Sequence, residues 1–292
     1  MQITQLNLPD TMIDLGVGQP AISQLPLEAM KKAAEHRLSQ GDPSPLQYGT
    51  EQGNGYFRKA LAQFLSQGFY AVVEPDELFI TAGATYGLDL ICTYFAQPGD
   101  TIFVEEPTYF LALRIFADRR FNIVSLPVDQ NGLVMEALEE KLAEHRPAFV
   151  YTIPTFHNPS SVTLSAPRRE RLVNLSKEHQ FIIVADEVYH LLAYTMTPPP
   201  PMRTYDQGET VLSLGSFSKI LAPGLRLGWI HAARPLLERL TRSGLLLSSG
   251  GLNPFTSSLV LSALDLGLQD AHLSFLKNTY RHRSAVPVSY TH

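Results

Sequence analysis

The sequence predicts an α/β protein whose mostly parallel sheet is covered by helices on both faces. From Glu77 onward, short β-rich runs alternate with longer helical patterns, which is the order of elements in a layered α/β domain. The runs 148–153 and 181–185 lack the alternation of polar and apolar residues, as strands buried on both faces do. A length of 292 residues, 45% of them hydrophobic, suffices for one large domain plus part of another.

The predicted elements follow one another in a regular order. A helical pattern at 26–40 lies among glycine- and proline-rich loops, so we place it outside the main sheet. The predicted strands are 77–81, 101–106, 122–126, 148–153, 181–186 and 211–216, and the helices between the first five are 84–96, 109–118, 135–144 and 166–179. Ser165 and Pro167 predict a capped start for the last of these helices. A further helix begins near Asp270, and its pattern breaks at Pro287.

Composition argues against several classes of function. The net charge of −5, from 23 basic and 28 acidic residues, provides no basic field for nucleic acid or an anionic membrane. The sequence has no apolar run of membrane-spanning length and no secretory signal pattern at its start, so we expect a cytoplasmic protein. Its one cysteine, Cys92, allows neither an internal disulfide nor a cysteine-based zinc site and is expected to be a buried thiol. We therefore expect no metal and no nucleic-acid partner.

Polar residues follow four of the predicted strands, at the edge where open α/β sheets bind ligands. Gly83-Ala84-Thr85 opens a helix after the first strand, where backbone N–H groups and a hydroxyl suit a phosphate. The same tripeptide is also an ordinary helix start. Asn158 follows the fourth strand and Tyr189 the fifth.

Two charged residues complete these clusters. Asp186 ends an apolar strand, where an unpaired carboxylate is costly. A protonated pyridine nitrogen would pair with it, and a helix cap or a metal is the alternative. Lys219 follows Ser216 and Ser218 and precedes Arg226. The hydroxyls and the guanidinium suit a phosphate, and an enclosed amine can act as a nucleophile, whereas a lone lysine is usually a surface charge.

Six motifs resemble those of class I/II aminotransferases, the fold-type-I enzymes that use pyridoxal 5′-phosphate (PLP). The most specific is SFSKILAPGLRLGW at 216–229. The others, in the order the family has them, are DLGVGQP at 14–20, QYGTEQGN at 47–54, EEPTY at 105–109, PTFHNPSSVTLS at 154–165 and DEVY at 186–189. The resemblance covers nearly the whole chain and implies fold type I, PLP as cofactor and amino-group transfer.

The resemblance implies a role for each matching residue near the PLP ring. Lys219 would hold PLP as a Schiff base and move the proton of the substrate α-carbon. Asp186 would pair with the pyridine nitrogen, while Tyr189 and Asn158 would hydrogen-bond the phenolic oxygen. Tyr109 would stack on the ring, with a core aromatic as the alternative.

Other matching residues would bind the phosphate or the substrate. The phosphate group would be held by Ala84, Thr85, Ser216, Ser218 and Arg226. Tyr48 would reach the phosphate of the neighbouring subunit, which implies a homodimer with shared active sites, although a Tyr-Gly pair is also ordinary turn chemistry. Gly18 and Asn158 would contact the substrate.

The sequence departs from the family pattern in two places. Ser160-Ser161 stands where the family has Thr-Gly, and His157 stands where many relatives have glutamine. We interpret His157 as a packing or hydrogen-bonding neighbour of the asparagine. Residues 270–292 do not match the motif that supplies the arginine for the substrate carboxylate, so we interpret them as the truncated start of a small domain.

The predicted function is amino transfer between an L-amino acid and a 2-oxo acid. The segments LQYGTEQG and FHNPSSVTLS resemble the 2-aminoadipate and aromatic or kynurenine-type branches. The alternatives are a fold-type-I lyase or synthase, such as a carbon–sulfur lyase, and the non-catalytic PLP-binding sensor domain of a MocR-type regulator. We expect three parts: an N-terminal segment at 1–47, a large PLP-binding domain at 48–262, and an interdomain helix with an incomplete small domain at 263–292.

Overall fold

The structure is a computed structural model that describes residues 18–206 and 208–285. Its strands are β1 (Leu78–Thr81), β2 (Thr101–Glu106), β3 (Asn122–Asp129), β4 (Gly132–Leu133), β5 (Phe149–Thr152), β6 (Ile182–Asp186), β7 (Val211–Ser216) and β8 (Gly228–Ala232). Its α-helices are α1 (Leu27–Ser39), α2 (Gly55–Phe69), α3 (Ala84–Phe95), α4 (Phe110–Asp118), α5 (Met135–Glu144), α6 (Ala166–His179), α7 (Met202–Tyr205), α8 (Arg234–Thr241), α9 (Gly244–Ser249), α10 (Pro254–Asp265) and α11 (Leu268–Ala285). Short 3-10 turns lie at Ile22–Gln24, Ser44–Leu46, Pro75–Glu77, His190–Leu192 and Pro223–Leu225.

The strands form one sheet in the order β1-β8-β7-β6-β5-β2-β3-β4. The central strands β7, β6, β5, β2 and β3 are parallel to one another. β8 runs antiparallel between β7 and β1, and β4 is antiparallel to β3. The predicted mostly parallel α/β sheet is therefore confirmed, with β8 as a strand that the sequence did not predict.

Successive residues of the central strands point to opposite faces of the sheet and pack into two separate apolar layers. Tyr151 belongs to the layer formed with α3, α4 and α8, while its neighbour Val150 belongs to the layer formed with α5 and α6. β5 and β7 are buried along their whole length, because helices cover both faces of the sheet. Burial of a side chain such as Phe149 or Leu212, neither of which is exposed at all, stabilises the fold by about 1.5–3 kcal/mol.

Two helix starts show how the sequence controls local structure. The side chain of Asn54 caps α2 by accepting a hydrogen bond of 3.0 Å from the Phe57 N–H. The predicted side-chain cap at Ser165 is wrong, because its hydroxyl makes no capping bond and only its carbonyl receives the Arg169 N–H. The buried thiol predicted for Cys92 is confirmed at 1% exposure, and burial raises its pKa to about 12.

The helices outside the sheet pack on one another. α1 lies against α10, and α10 lies against α2 and α11. The placement of the 26–40 helix outside the sheet is thus confirmed by α1, while the division at residues 48 and 263 stays a prediction. Among the described residues, no helix combines the length and the hydropathy that a bilayer crossing needs.

Candidate functional site

The predicted site residues gather at one edge of the sheet. Because β5, β6 and β7 are parallel, their carboxyl ends lie side by side, and β1 ends at the same edge since the antiparallel β8 separates it from β7. Asp186 and Ser216 are the last residues of β6 and β7. The sites predicted at 84–85, 109, 158, 189 and 218–219 follow the ends of β1, β2, β5, β6 and β7, and Arg226 lies just before β8.

Lys219 stands in the middle of this edge. Its Nζ donates to the Gly18 carbonyl at 2.5 Å and lies 5.9 Å from the centroid of the Tyr189 ring. Burial lowers the pKa of the amine, and the negative field of Asp186 opposes that shift. A partly desolvated lysine of this kind is neutral more often than a surface lysine, which makes it a better nucleophile and proton carrier.

The two carboxylate oxygens of Asp186 have different surroundings. Oδ2 accepts a hydrogen bond of 2.9 Å from the Tyr151 hydroxyl. Oδ1 is buried and has no hydrogen-bond partner among the described residues. Burial raises the pKa of Asp186, while Tyr151, the Val188 N–H and Lys219 oppose that shift. A buried oxygen without a donor is costly, so this arrangement suits a ligand that brings an N–H donor.

Polar aromatic residues surround the approach to Asp186. Burial, with smaller contributions from Asp186 and Tyr109, raises the pKa of the Tyr189 hydroxyl to about 12, and the Asn158 amide opposes this shift by hydrogen bonding. Burial and Asp186 also raise the pKa of Tyr109, which is the residue preceding α4. Asp186 acts on both phenols, so the structure brings these four side chains together.

A second group of residues suits an anion. Gly83 precedes α3 with a φ of 93°, and a Cβ atom there would lie 2.8 Å from Nη2 of Arg226. The bare glycine thus lets the guanidinium lie at the start of α3, where helix N–H groups also favour negative charge. Beside it, the Ser216 hydroxyl donates to Ser218 Oγ at 3.0 Å and accepts the Ser218 N–H at 3.1 Å.

Tyr48 differs from the other predicted residues in its exposure. Its side chain is 81% exposed, and its Cβ atom lies beside Gly250. Most of its side chain therefore makes no contact with the described residues of its own chain. The predicted contact of Tyr48 with a neighbouring subunit therefore stays a prediction.

The sequence did not point to several buried polar residues that support this edge. Tyr151 is fully buried in β5 and reaches Asp186 from the neighbouring strand. Arg169 is fully buried in α6, where it donates to backbone carbonyls and lies 3.6 Å from Glu187 Oε1. Glu105, at the end of β2, accepts hydrogen bonds from the end of β5. For Tyr151 and Glu105 the available signal was a polar residue within an otherwise apolar strand, and Arg169, in a largely polar helix, gave no such signal.

The cluster suits a ligand that carries an anionic group and can bond covalently to an amine. It combines an amine, an unpaired carboxylate oxygen, a hydroxyl with an amide beside it, and an anion seat. Over residues 18–206 and 208–285, no group of three or more His, Cys, Asp or Glu side chains could hold a metal ion.

Comparison with known proteins agrees with this geometry. The profile described as "Aminotransferase class I and II" matches residues 10–283. The aromatic-amino-acid aminotransferase 1 of Thermococcus litoralis is 36% identical over 93% of this chain and 66% of its own length. The crystal structure of Pyrococcus horikoshii kynurenine aminotransferase, in complex with PMP and with KYN and KYA, superimposes with a TM-score of 0.85 at 32% identity, covering 91% of this chain and 67% of that one.

One relative carries a different kind of name. An HTH-type transcriptional regulator of Bacillus subtilis is 33% identical over 82% of this chain and 49% of its own length. The chain thus spans between about half and two thirds of the length of these curated relatives.

Proposed function

The chain belongs to the class I and II aminotransferase family, and from that premise we propose that it moves an amino group between an L-amino acid and a 2-oxo acid. Its cofactor is pyridoxal 5′-phosphate, as the family and the structurally similar aminotransferase with bound PMP indicate. The observation that carries the proposal is the unpaired Oδ1 of Asp186 at the same sheet edge as the partly buried amine of Lys219.

The residues present fit this cofactor group by group. A protonated pyridine nitrogen supplies the donor that Oδ1 of Asp186 lacks, and a charge-assisted hydrogen bond of that kind is worth about 1.5–3 kcal/mol. The phosphate matches the guanidinium and helix start at Gly83. The phenolic oxygen matches the hydroxyl of Tyr189 and the amide that acts on it. When bound, PLP supplies an electron sink for the substrate α-carbon.

We assign the chain's own residues the following work. Lys219 binds the cofactor and carries the α-proton on its Nζ. Asp186 keeps the ring nitrogen protonated, Tyr109 covers the ring, and Tyr189 with Asn158 binds the phenolic oxygen. The phosphate is held by Ala84, Thr85, Ser216, Ser218 and Arg226. Gly18 contributes its backbone, and Asn158 its side chain, beside the substrate.

The assembly and organisation of the protein are further parts of the proposal. A homodimer would give the exposed Tyr48 a partner at the phosphate of the neighbouring subunit. The three-part division at residues 48 and 263 and the cytoplasmic location remain expectations from the sequence. Substrates of the aromatic or 2-aminoadipate type are favoured, because relatives with those names are 36% and 30% identical to this chain.

A PLP-binding sensor domain is the second candidate. It is favoured by the transcriptional regulator that is 33% identical over 82% of this chain. Such a domain would use the same cofactor residues without completing a transfer. The two functions differ in turnover, not in cofactor binding.

An isotope-transfer experiment distinguishes these functions. The protein loaded with PLP is mixed with ¹⁵N-labelled L-phenylalanine or L-2-aminoadipate and an unlabelled 2-oxo acid, and the products are analysed by mass spectrometry. Amino transfer places ¹⁵N on the carbon skeleton of the oxo acid. Release of labelled ammonia and pyruvate from ¹⁵N-labelled L-cysteine, assayed in the same way, would instead indicate a carbon–sulfur lyase. Binding of PLP without any labelled product would indicate a sensor.

A further inference from the structure

A buried contact between a carboxylate and an imidazole lies behind the loop that carries Asn158. Glu105 and His157 are each 2% exposed. His157 Nε2 lies 3.1 Å from Glu105 Oε2, in a bent rather than a linear geometry. The Thr152 hydroxyl donates to Oε1 of Glu105 at 2.7 Å and the Ile153 N–H donates to Oε2 at 2.8 Å. The carboxylate is thus fixed by the end of β5 and in turn limits where the imidazole can lie.

The other ring nitrogen of His157 is held by the loop itself. The Ser160 N–H approaches Nδ1 at 3.3 Å, and Ser160 Oγ lies 2.8 Å from the same atom. Because a backbone N–H can only donate, Nδ1 accepts, and the ring proton sits on Nε2, facing Glu105. The backbone closes around the ring, since the His157 N–H donates to Val162 and the Ser161 N–H donates to His157. The turn 157–162 is therefore held by hydrogen bonds to Nδ1 and to the backbone of His157, while Nε2 lies against Glu105.

Asn158 takes its position from this turn because it directly follows His157. Its amide acts on the Tyr189 hydroxyl, where it opposes the rise in pKa that burial, Asp186 and Tyr109 produce. A hydrogen bond of this kind weakens steeply when its donor is misaligned. The direction in which the Asn158 amide points therefore depends on groups that do not touch Tyr189.

We propose that Glu105 and His157 are positioning residues that aim the Asn158 amide at the oxygen which Tyr189 also binds. This inference rests on the proposed function, in which that oxygen is the phenolic oxygen of PLP. Neither residue touches the reacting atoms. His157 and Ser160 are also two of the three residues at which this loop departs from the family pattern, and they are bonded to each other. The two departures form one local unit.

Substitutions of His157 test the proposal in the PLP-loaded protein. A hydrogen-bond donor stabilises the phenolic oxygen in its deprotonated form. Losing that donor therefore makes the cofactor hold its proton to a higher pH, which raises the pH midpoint of its visible absorption. Asn158→Ala is expected to raise that midpoint by about one pH unit, and His157→Leu by part of that shift. His157→Gln, whose amide can both donate to Glu105 and accept from the Ser160 N–H, restores the wild-type midpoint.

A double-substitution cycle separates positioning from simple destabilisation. In the Asn158→Ala background, His157→Leu should cause no further shift of the midpoint, because the amide that it aims is gone. A wild-type midpoint in His157→Leu, or an equal shift with and without Asn158, would overturn the proposal. The melting temperature is measured in parallel, since a structural role alone would lower it in both backgrounds without moving the midpoint.

The protein without cofactor provides an independent readout. ¹⁵N NMR of the imidazole is expected to show the proton of His157 on Nε2, with Nδ1 as the acceptor, and amide exchange at Ser161 should be slow in the wild type and faster in His157→Leu. An Nδ1–H form, or exchange that does not change, would contradict the positioning role. Absence of any PLP spectrum in the wild type would sink the proposed function, whereas the NMR result would still decide this inference.

Discussion

Two carboxylates at the same edge of the sheet, Glu105 at the end of β2 and Asp186 at the end of β6, differ in what their oxygens meet. Glu105 is surrounded by protein donors on both oxygens. Asp186 has a protein donor on Oδ2 and none among the described residues on Oδ1. A saturated buried carboxylate stabilises the fold, whereas an unsaturated one costs stability until a ligand completes it. We therefore assign Glu105 a structural role and Asp186 a role in ligand binding.

The largest expected effect is the loss of stability on replacing Glu105, whose two oxygens both accept hydrogen bonds. Glu105→Leu leaves the Thr152 hydroxyl and the Ile153 N–H without their acceptor and removes the close contact with His157, so we expect a loss of about 3–5 kcal/mol in the free energy of unfolding. Chemical denaturation measures it. Glu106→Leu, at the exposed neighbouring position, is the control and should change stability by about 0.5 kcal/mol or less. Equal effects of the two substitutions would break the comparison.

Asp186→Asn should act in the opposite direction on the protein without PLP. Burial raises the pKa of Asp186 above its ordinary 3.8, so the folded protein holds this proton more tightly than the unfolded chain does. Its contribution is therefore most favourable below pH 3.8 and is lost as the pH rises toward the folded pKa. The amide that replaces the carboxylate carries no charge, so the variant should be more stable than wild type at pH 7, with the difference vanishing in acid.

The same substitution should weaken the cofactor complex. Loss of the charge-assisted bond predicts PLP binding weaker by about 10- to 150-fold. Melting temperatures with and without PLP, recorded between pH 4 and 8, measure both effects. A variant that is less stable than wild type at pH 7 without PLP would show that Asp186 is a structural carboxylate like Glu105.

Arg226→Lys extends the comparison from the two carboxylates to a positively charged residue of the predicted phosphate site. Among the described residues, the Arg226 guanidinium makes only long hydrogen bonds, of 3.2 Å to Pro223 and 3.3 Å to Ala82. Its N–H donors are therefore weakly engaged there, as Oδ1 of Asp186 is unpaired. Lysine keeps the charge but not the planar fork, and we expect PLP binding about tenfold weaker by spectral titration. Arg234→Lys, at an exposed pair with Asp76, should leave binding unchanged.

The smallest expected effect lies in the loop that Glu105 supports. Ser161 has a φ of 62°, where a side chain costs about 1 kcal/mol relative to glycine. Ser161→Gly should therefore stabilise the protein by up to about 1 kcal/mol in denaturant titrations. Ser160→Gly, the control, removes the hydroxyl beside His157 and should destabilise it. Destabilisation by Ser161→Gly would indicate that the serine has another role.

The strand ends were predictable from the sequence because apolar runs stop abruptly at polar residues. This placed Asp186 and Lys219 at one edge, and the resemblance supplied their partners. Long-range pairing was not predictable. β8 is an antiparallel strand that begins inside the 216–229 motif, where the sequence analysis predicted no strand beyond residue 216. Tyr151 reaches Asp186 because β5 pairs with β6 so that Tyr151 lies opposite Val184, two residues before Asp186.

Buried polar support was the other part that sequence patterns could not provide. Arg169 lies in a helix whose sequence is largely polar, so nothing local distinguishes it from exposed neighbours. It is fully buried because its guanidinium donates to backbone carbonyls of two separate loops, at Pro154 and at Pro200. The predicted cap by Ser165 failed for a related reason, since propensity does not fix a hydroxyl rotamer.

The central claim is that Lys219 binds PLP at this edge of the sheet, and borohydride reduction tests it most directly. The PLP-loaded protein is reduced, digested and analysed by mass spectrometry, with Lys219→Ala treated in the same way. We predict one pyridoxyl group on the peptide containing Lys219 and, before reduction, an imine absorption band that the variant lacks. A pyridoxyl group on another lysine, or an imine band that persists in Lys219→Ala, would contradict this account.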